Sequence, residues 1–416
     1  MRVVKFYENN FTITTTQNPI LAAAQGPQPD VRTMLGEEAL ARLRADVSQG
    51  SALPNIAYTS AAWLELERRH LMWPMWMLAG FESQVRDPGD TLPVTVAGCP
   101  IVLVRQRDGE LAAFHNVCRH RGAVIVTEPC RNLATLTCPY HAWVYGLDGK
   151  LRTRPHFHGG GNHDVPSDGN ERANLHAVRC ESWRGMVFVN IDGNARPLAE
   201  HMRPADDQLE GWEPQRLAYG GSLTFEVQAN WKHIHENFID VYHKFAIHPA
   251  LCEFAPLETS NPMVPIADHL LKTEHEIAAP QEGRGKGLPP LPGLPDVLHR
   301  EGRFFTMIPT CNINVWYDQI AILVAEPTGP GTTRETIHLL FAPEAMAGQF
   351  DDARQAVLTT WDGLNREDIG PLESMQRGRV SPGFDGGAFS PFWDSGTHFF
   401  ARQVAELMLH HAGETP

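Results

Sequence analysis

Two short segments of the sequence each carry one cysteine and one histidine at a spacing that suits a metal centre. Cys118 precedes His120 by two residues, Cys138 precedes His141 by three, and seventeen residues separate His120 from Cys138. Four such ligands could hold zinc in a tetrahedron. They could also hold a [2Fe–2S] cluster, with the cysteines on one iron and the histidines on the other. A Cys2His2 zinc finger places its cysteines together, whereas each segment here offers one ligand of each kind, which favours the iron–sulfur cluster.

A second group of candidate ligands lies in the second half of the chain. If this segment is helical, Asn237, Asp240 and His243 share one face of the helix, and Pro249 ends it. His248 would then lie on the loosened last turn, where its imidazole could approach His243. Two neutral imidazoles and one carboxylate form a common site for non-haem Fe(II). The carboxylate must come from another part of the fold.

The elements around the first group indicate an all-β domain. Between residues 75 and 192, short apolar runs alternate with turn signals, and two Asp-Gly dipeptides are typical of hairpins. Helical spacing of apolar residues precedes this region, at 37–47 and, after a cap at Thr59 or Ser60, at 61–71.

The elements around the second group indicate an antiparallel sheet with segregated helices. Strands are predicted at 223–228, 304–308, 313–316, 320–325 and 335–341, and helices at 231–247, 350–364, 367–377 and 396–411. We therefore expect an α+β protein with an N-terminal extension and helices (1–74), an all-β domain (75–195) and a domain of antiparallel sheet flanked by helices (196–416). The roles of residues 1–55 and of the Pro- and Gly-rich loop at 280–295 stay open.

Composition argues against several classes of protein. Of the 416 residues, 35 are Lys or Arg and 49 are Asp or Glu, which gives a net charge of −14. A protein that binds nucleic acid or an anionic membrane would need a basic face instead. No transmembrane helix or signal peptide is predicted, so we expect a cytoplasmic protein without membrane or nucleic-acid partners. The odd number of cysteines, seven, favours metal binding over a disulfide framework.

Both groups of candidate ligands resemble one known family. The segments FHNVCRHRG and CPYHAWVYGLDGKL resemble the two cluster loops of Rieske [2Fe–2S] domains, with Ala142 where many relatives carry glycine. The order Asn-Trp-Lys-x3-Glu-Asn-x2-Asp-x-Tyr-His-x4-His, from Asn230 to His248, resembles the catalytic domain of Rieske non-haem iron oxygenases. The similarity is to the α-subunit or single-component type, in the aromatic ring-hydroxylating dioxygenase family. It covers roughly residues 55–410.

The resemblance implies the metal ligands. The cluster ligands would be Cys118, His120, Cys138 and His141, and the ligands of a mononuclear Fe(II) would be His243, His248 and Asp368. Asp368 matches the position of the third iron ligand of the family, on a helix near the C-terminus. Glu367 and Asp362 are its nearby rivals.

The resemblance also implies residues that assist the metals. Asp240 matches a bridging carboxylate, which in relatives lies between the iron of one subunit and a cluster histidine of its neighbour. A carboxylate in that place accepts an N–H from a ligating imidazole on each side and fixes both rings. Asn237 and Tyr242 would support the catalytic site.

The function implied by the resemblance is that of a terminal oxygenase component. Such a protein uses O2 and electrons from a separate ferredoxin or NAD(P)H-dependent reductase, and the sequence carries no nicotinamide or flavin motif of its own. It would hydroxylate an aromatic, possibly carboxylated, small molecule. Alternatively, it would be a monooxygenase that demethylates or hydroxylates an N-methyl, O-methyl or quaternary ammonium substrate. A homotrimer is expected, with or without β-subunits. An electron carrier or a structural zinc protein is the alternative from another class, and the second ligand group argues against it.

Overall fold

The computed structural model of the chain describes residues 30–165, 171–209, 216–276, 281–283, 285–294, 300–309 and 311–414. Residues 1–29 lie outside the described part, and so do parts of the predicted loop at 280–295. Their roles therefore stay as open as the sequence leaves them.

Four short helices begin the described chain. They are α1 (Val31–Leu35), α2 (Glu37–Arg44), α3 (Ile56–Thr59) and α4 (Ala61–Glu67). Ser60 caps α4, because its side chain accepts a hydrogen bond from the Trp63 backbone N–H at 3.3 Å. Of the two predicted caps, Ser60 is thus confirmed. Helices α1 and α2 pack against the last helix of the chain.

The all-β domain is formed by nine short strands in two sheets. They are β1 (Met77–Phe81), β2 (Thr91–Val96), β3 (Cys99–Arg105), β4 (Leu111–His115), β5 (Leu136–Thr137), β6 (Val144–Tyr145), β7 (Leu151–Thr153), β8 (Ala177–Trp183) and β9 (Met186–Asn190). The larger sheet has the order β1-β9-β8-β4-β3-β2, and the smaller has the order β5-β6-β7. Gly149 turns the β6–β7 hairpin at φ +75°, where a Cβ would lie 2.5 Å from the Phe114 ring, so only glycine fits.

The remaining residues form a second domain around a seven-stranded antiparallel sheet. Its strands are β10 (Ala218–Val227), β11 (Val264–Ala267), β12 (Leu270–Glu276), β15 (Glu301–Met307), β16 (Cys311–Val315), β17 (Ile320–Gly329) and β18 (Thr332–Phe341), and a separate short pair is β13 (Gln281–Glu282) and β14 (Gly285–Lys286). Its helices are α5 (Leu198–Asp206), α6 (Trp231–Ile239), α7 (Lys244–Ile247), α8 (Pro249–Phe254), α9 (Asp351–Gly378) and α10 (Ser395–His411). The sheet order is β10-β18-β17-β16-β15-β12-β11. The α+β prediction is confirmed.

Alternate residues of the seven-stranded sheet face two different layers. Leu323, Ile337 and Leu339 share a buried apolar cluster with helices α6, α9 and α10. Ile313 and Ile322, on the other face, share a second cluster with α5 and with strands β1 and β9 of the all-β domain. The sheet therefore joins the all-β domain to the helices that carry the candidate ligands.

The single helix predicted at 231–247 is wrong. Helix α6 ends at Ile239, because Asp240 adopts extended backbone torsions, and α7 begins only at Lys244. Pro249 does not merely stop a helix: it occupies the first turn of α8, where its missing N–H costs nothing. The breaks turn the chain twice within ten residues, around the two candidate histidines.

The two helices predicted at 350–364 and 367–377 form one continuous helix, α9. Two polar residues near the predicted junction form hydrogen bonds while they remain part of this helix. Asn365 donates to Glu335 Oε2 at 2.7 Å, and Arg366 donates to Asp362 Oδ2 at 2.8 Å, one turn away. Pro371 lies within the same helix, at the loss of one backbone hydrogen bond.

A fully buried ion pair fixes the start of α6. Lys232 Nζ lies 2.5 Å from Glu67 Oε1, and neither side chain is exposed. Glu67 also accepts the indole N–H groups of Trp63 at 2.8 Å and Trp231 at 2.9 Å. Burial lowers the pKa of Lys232, while Glu67 favours the charged form of the ammonium group. The Glu67 carboxylate accepts hydrogen bonds from three donors, so its buried charge is well compensated. The ion pair therefore links α4 to α6 without leaving an unpaired charge inside the protein.

Replacing Lys232 by methionine should destabilise the protein by about 3 kcal/mol or more, since it leaves a buried carboxylate without its cation. The double variant Lys232→Met/Glu67→Gln should regain most of that loss. Chemical denaturation measures both. Arg334→Met is the matched control: Arg334 pairs with Glu226 at 2.7 Å on the surface, and its loss should cost less than about 1 kcal/mol. Equal losses for the buried and the exposed pair would contradict the anchoring role.

Candidate metal centres and active-site cavity

The two Cys/His segments form loops with the same backbone hydrogen bonds. In the first loop, Cys118 N–H donates to Ala123 O at 2.8 Å and Gly122 N–H donates to Cys118 O at 3.0 Å. In the second, Cys138 N–H donates to the carbonyl five residues later at 2.9 Å, and Ala142 N–H donates back to Cys138 O at 3.1 Å. Gly122 and Ala142 occupy equivalent positions at φ +77° and +53°. Ala142 therefore adopts the left-handed backbone that glycine takes in the first loop, at a cost of about 1 kcal/mol.

The loops bring two buried thiols beside two exposed imidazoles. Cys118 and Cys138 are 3% and 2% exposed, whereas the His120 and His141 rings are exposed and their centroids lie 4.7 Å apart. The Tyr145 hydroxyl lies within hydrogen-bond distance of Cys118 Sγ, at 3.3 Å, and accepts the Arg119 backbone N–H at 3.0 Å, which leaves its own proton available to a thiolate at Cys118. A tyrosine hydroxyl in this place stabilises a thiolate ligand.

The spread of these four ligands fits two irons better than one ion. Bonds of 2.0–2.3 Å around one zinc would place all four ligand atoms within about 4 Å of one another. Among the described residues, Cys118, His120, Cys138 and His141 do not form such a group within 4.8 Å, and the one set of three that does lies in the second domain. Sulfur on one side and imidazole on the other suit a [2Fe–2S] cluster.

That compact set is His243, His248 and Asp368, referred to below as the ligand triad. Asp368 Oδ1, from α9, lies 2.9 Å from His248 Nε2 and 3.5 Å from His243 Nε2. His243 comes from the break between α6 and α7, and His248 from the end of α7. Two imidazoles and one carboxylate on one side of a metal leave positions open for other ligands, as in non-haem Fe(II) oxygenases.

Each imidazole of the triad is oriented through its other nitrogen. His243 Nδ1 lies 3.2 Å from Asp240 Oδ2, and His248 Nδ1 lies 2.7 Å from Glu367 Oε2. These carboxylates fix the Nε2 atoms toward the shared centre. Glu367 therefore orients a ligand, a role that the sequence does not reveal because its side chain meets His248 only in the folded chain.

The structure separates the two residues expected to support the site. Asn237 Nδ2 lies 3.2 Å from Asp368 Oδ1 and 3.4 Å from His243 Nε2, so it contacts the triad directly. Tyr242 contributes its backbone N–H, which donates to Asp240 Oδ1 at 2.7 Å. Its ring is exposed and stacks on Trp393, and it does not line the cavity beside the triad.

A cavity of about 140 Å³ lies beside the ligand triad. Its walls include the aromatic side chains of Phe238, Phe304, Trp316 and Trp361. Glu335 also lines it; this carboxylate is 2% exposed, and burial raises its pKa to about 7. Since Glu335 accepts a hydrogen bond from Asn365, one helical turn before Asp368, the acid belongs to the triad's end of the cavity.

Comparison with known families agrees with this geometry. Residues 75–167 match the Rieske [2Fe–2S] domain, and residues 214–410 match the catalytic domain of the ring hydroxylating alpha subunit. The chain belongs to the Rieske non-haem iron oxygenases. An electron carrier and a structural zinc protein are thereby excluded.

Relatives span most of this oxygenase. The carnitine monooxygenase oxygenase subunit of Escherichia coli K12 is 28% identical over 360 residues, covering 82% of this chain and 88% of that protein. The glycine betaine monooxygenase oxygenase subunit of Pseudomonas aeruginosa is 25% identical over 401 residues, covering 87% and 90%. A crystal structure of a quaternary ammonium Rieske monooxygenase with an inhibitor has the same fold, with a TM-score of 0.75, 24% identity and coverage of 90% and 98%.

Membership sets the cofactors and the kind of partner. The Rieske domain implies a [2Fe–2S] cluster, and the catalytic domain implies a mononuclear iron. Rieske oxygenase alpha subunits use ferredoxin or reductase partners and oligomerise. Among the described helices, none combines the length and the apolar character needed to cross a bilayer.

Replacing Asp368 by alanine tests the ligand triad. We expect iron to fall from about three to about two atoms per chain, with acid-labile sulfide unchanged at about two. Asp362→Ala is the matched control, because this carboxylate of the same helix pairs with Arg366 and should leave iron unchanged. If Glu367→Ala loses one iron and Asp368→Ala does not, Glu367 is the ligand.

Proposed function

We propose that this oxygenase hydroxylates a carbon bonded to the nitrogen of a quaternary ammonium substrate. One atom of O2 enters the C–H bond and the other leaves as water, with two electrons from the partner reductase and two protons from solvent. The resulting carbinol-ammonium ion loses its hydroxyl proton to solvent as the C–N bond breaks, and the electron pair of that bond stays on nitrogen, which gives a tertiary amine and a carbonyl compound. This reading favours the alternative substrate class over hydroxylation of an aromatic ring.

The buried carboxylate of Glu335 within an aromatic cavity carries the proposal. Among the described side chains, none forms an ion pair with Glu335. A cationic substrate bound beside it would supply the opposite charge. The Phe304 ring lies 5.0 Å from Trp316 and 6.4 Å from Phe238, and the faces of such rings attract quaternary ammonium groups. Lys244 also lines the cavity, but its ammonium group donates to Ser260 Oγ at 2.6 Å, whereas Glu335 accepts its hydrogen bond from the neutral amide of Asn365.

The names of the relatives support the same class. Two curated relatives that span over four-fifths of the chain are oxygenase subunits of carnitine and glycine betaine monooxygenases. The similar crystal structure is described as a quaternary ammonium Rieske monooxygenase.

We infer that the two metal sites are those of the sequence motifs. Cys118, His120, Cys138 and His141 would hold the cluster, and His243, His248 and Asp368 would hold the iron, which when bound supplies O2 activation. The hydrogen bonds of Asp240, Glu367 and Asn237 orient the triad, and the aromatic wall excludes water. The proposed division of the chain is 1–74, 75–195 and 196–416, which is consistent with strands β1 to β9 lying within the second of these parts.

We propose a homotrimer in which the cluster of one subunit serves the iron of the next. The exposed edges of His120 and His141 support this arrangement. Asp240 holds His243 yet keeps 27% of its side chain exposed, so it can accept a hydrogen bond from a neighbouring imidazole. The proposed compartment is the cytoplasm, where thiols stay reduced, such as those of the five cysteines that the proposed cluster does not use.

Glu335→Gln tests the substrate class. Wild-type protein should bind a trimethylammonium compound more tightly than its neutral tert-butyl isostere, and the variant should lose at least about tenfold of that preference because a buried charge pair is removed. Calorimetry measures the affinity, and amine and carbonyl products measure turnover. Since burial raises the pKa of Glu335 to about 7, affinity for the cation alone should rise as the pH rises through about 7 and the carboxylate ionises.

Glu326→Gln is the matched control for that experiment. Burial also raises the pKa of Glu326 to about 7, but this carboxylate accepts the backbone N–H groups of Ala97 and Gly98 away from the cavity. Its replacement should leave both affinities unchanged. Equal affinity of wild-type protein for the cation and its isostere would refute the substrate class.

Asp240→Asn tests the proposed transfer between subunits. Light scattering should give three times the mass of one chain for both proteins, with unchanged iron and sulfide. Reoxidation of the reduced cluster by O2 in the presence of substrate should slow by about tenfold or more in the variant. Asp394→Asn, close to Asp240 in the fold, should leave the rate unchanged. Unaltered reoxidation in Asp240→Asn, or a monomeric protein, would contradict the arrangement.

A further inference from the structure

A buried amide at the turn between β16 and β17 holds the indole of a tryptophan in the wall of the cavity. Gln319 is 1% exposed, and its Oε1 accepts a hydrogen bond from Trp361 Nε1 at 2.8 Å. Trp361 lines the cavity beside the ligand triad, and Gln319 lies behind it, outside the described residues of the lining. The amide can therefore act on a substrate only through the ring that it holds.

The neighbours of Gln319 decide which way its amide faces. Its Nε2 donates to Gly283 O and to Asp318 Oδ1, each at 3.2 Å. Because two oxygens face Nε2, the oxygen of the amide is the atom that faces the indole. If the Trp361 ring turned away, that buried oxygen would lose its donor. The position of the indole is therefore set by the amide behind it.

A glycine brings one of these oxygens against the helix that carries Trp361. Gly283 has φ +74°, and a Cβ there would lie 2.7 Å from Ala356 O and would also meet the Thr360 hydroxyl. Only glycine suits both this backbone conformation and this space. Thr360 directly precedes Trp361 on α9. The carbonyl that orients the Gln319 amide is thus fixed beside the ring that the amide holds.

Gln319 also closes the turn that follows a second tryptophan of the wall. Trp316 N–H donates to Gln319 O at 2.9 Å, and the Trp316 side chain lines the cavity. One residue thus holds two parts of the wall, Trp316 through its backbone and Trp361 through its side chain. Both tryptophans belong to the end of the cavity at the β16–β17 turn.

The sheet places that end far from the ligand triad. Gln319 directly precedes β17, where Ile320 pairs with Leu340 of β18, and the pair Ala325–Glu335 lies five residues further along the same two strands. Five residues of extended chain span about 17 Å. Since Glu335 belongs to the triad's end of the cavity, the turn lies at the opposite end.

Helix α9 gives the same order. Among its residues that line the cavity, Trp361 lies nearest the start of the helix, and Asp368 follows seven residues later on the same face. Seven residues of helix rise about 10 Å. The cavity therefore extends along α9 from Asp368 toward Trp361.

We propose that Gln319 fixes the Trp361 indole as the end wall of the cavity and so sets the longest substrate that can reach the ligand triad. Gln319 is then a positioning residue, and Trp361 is the residue that determines specificity. A ring held by a hydrogen bond resists moving aside for one more methylene, whereas a ring without that bond can change rotamer. This end wall acts on any substrate class, because it depends on the shape of the cavity and not on the charge of Glu335.

Two series of probes of increasing length test the end wall. They are the alkyltrimethylammonium ions from butyl to decyl and the 1-alkanols of the same chain lengths. Calorimetry with anaerobic holoenzyme measures their affinities. Each methylene that fits should strengthen binding about fourfold, and the affinity should stop rising at the first chain that meets Trp361. We call that probe the limiting chain.

Gln319→Met removes the acceptor at similar side-chain length, and Trp361→Phe removes the indole N–H and leaves a smaller ring. The limiting chain of wild-type protein should bind at least about fourfold more tightly to each variant, because one more methylene is buried. The shortest probes should bind as they do to wild-type protein, which also shows that each variant is folded.

The matched controls remove the same groups outside the cavity. Gln106 donates to Leu147 O at 3.3 Å, and Trp183 Nε1 donates to Asp206 Oδ1 at 3.0 Å. Gln106→Met and Trp183→Phe should leave the limiting chain unchanged.

The double variant Gln319→Met/Trp361→Phe separates positioning from a general loss of structure. Because phenylalanine has no N–H for Gln319 to hold, the second substitution should shift the limiting chain no further than Trp361→Phe alone. A further shift, an unchanged limiting chain in either single variant, or equal weakening of all probes would overturn the end wall. If trimethylammonium probes bind wild-type protein no better than alkanols while the limiting chain moves in both series, the end wall stands and the quaternary ammonium function fails.

Discussion

The position of helix α6 decides where both histidines of the ligand triad lie, and that helix is held at its first turn by a buried ion pair. The pair between Glu67 and Lys232 has no access to water, so α6 cannot slide or rotate without exposing or separating the two ions. Two side chains of α9 hold the chain just before α6: Glu373 accepts Gln228 N–H at 3.1 Å, and Gln376 accepts Asn230 N–H at 2.9 Å. The helix that carries the third ligand is thus tied to the one that precedes the other two.

The wall of the cavity contains a buried charged group that a substrate of opposite charge would neutralise. Glu335 is a buried acid near Asp368 of the ligand triad, and its one hydrogen-bond partner among the described side chains is Asn365. Lys244 lines the same cavity. Dipoles and charges fixed by the sheet need no reorganisation when the ligand arrives. A neutral aromatic hydrocarbon could not pair with the buried carboxylate of Glu335.

The sequence predicts most of the metal chemistry and little of the cavity. The ligand spacing within Cys118–His141 and Asn230–His248 is local, so it is readable without a structure. The break at Asp240 is not, because a periodic pattern of apolar residues looks the same whether the backbone continues as a helix or turns. Glu335, His275 and Asn314 lie on separate strands, and nothing in their sequence neighbours distinguishes them from the other polar residues of those strands. Their shared cavity follows from strand register, which long-range pairing sets.

The two metal centres differ in the length of chain that each must close. The proposed cluster ligands span Cys118 to His141 on adjacent hairpins, whereas six of the seven strands of the large sheet lie in the chain between His248 and Asp368. Closing a longer loop costs more conformational entropy, and N-terminal domains fold first during synthesis. The cluster pocket can therefore exist on a growing chain while the iron pocket has no third ligand. If these residues hold the metals as proposed, the cluster site is complete on the growing chain before the iron site is.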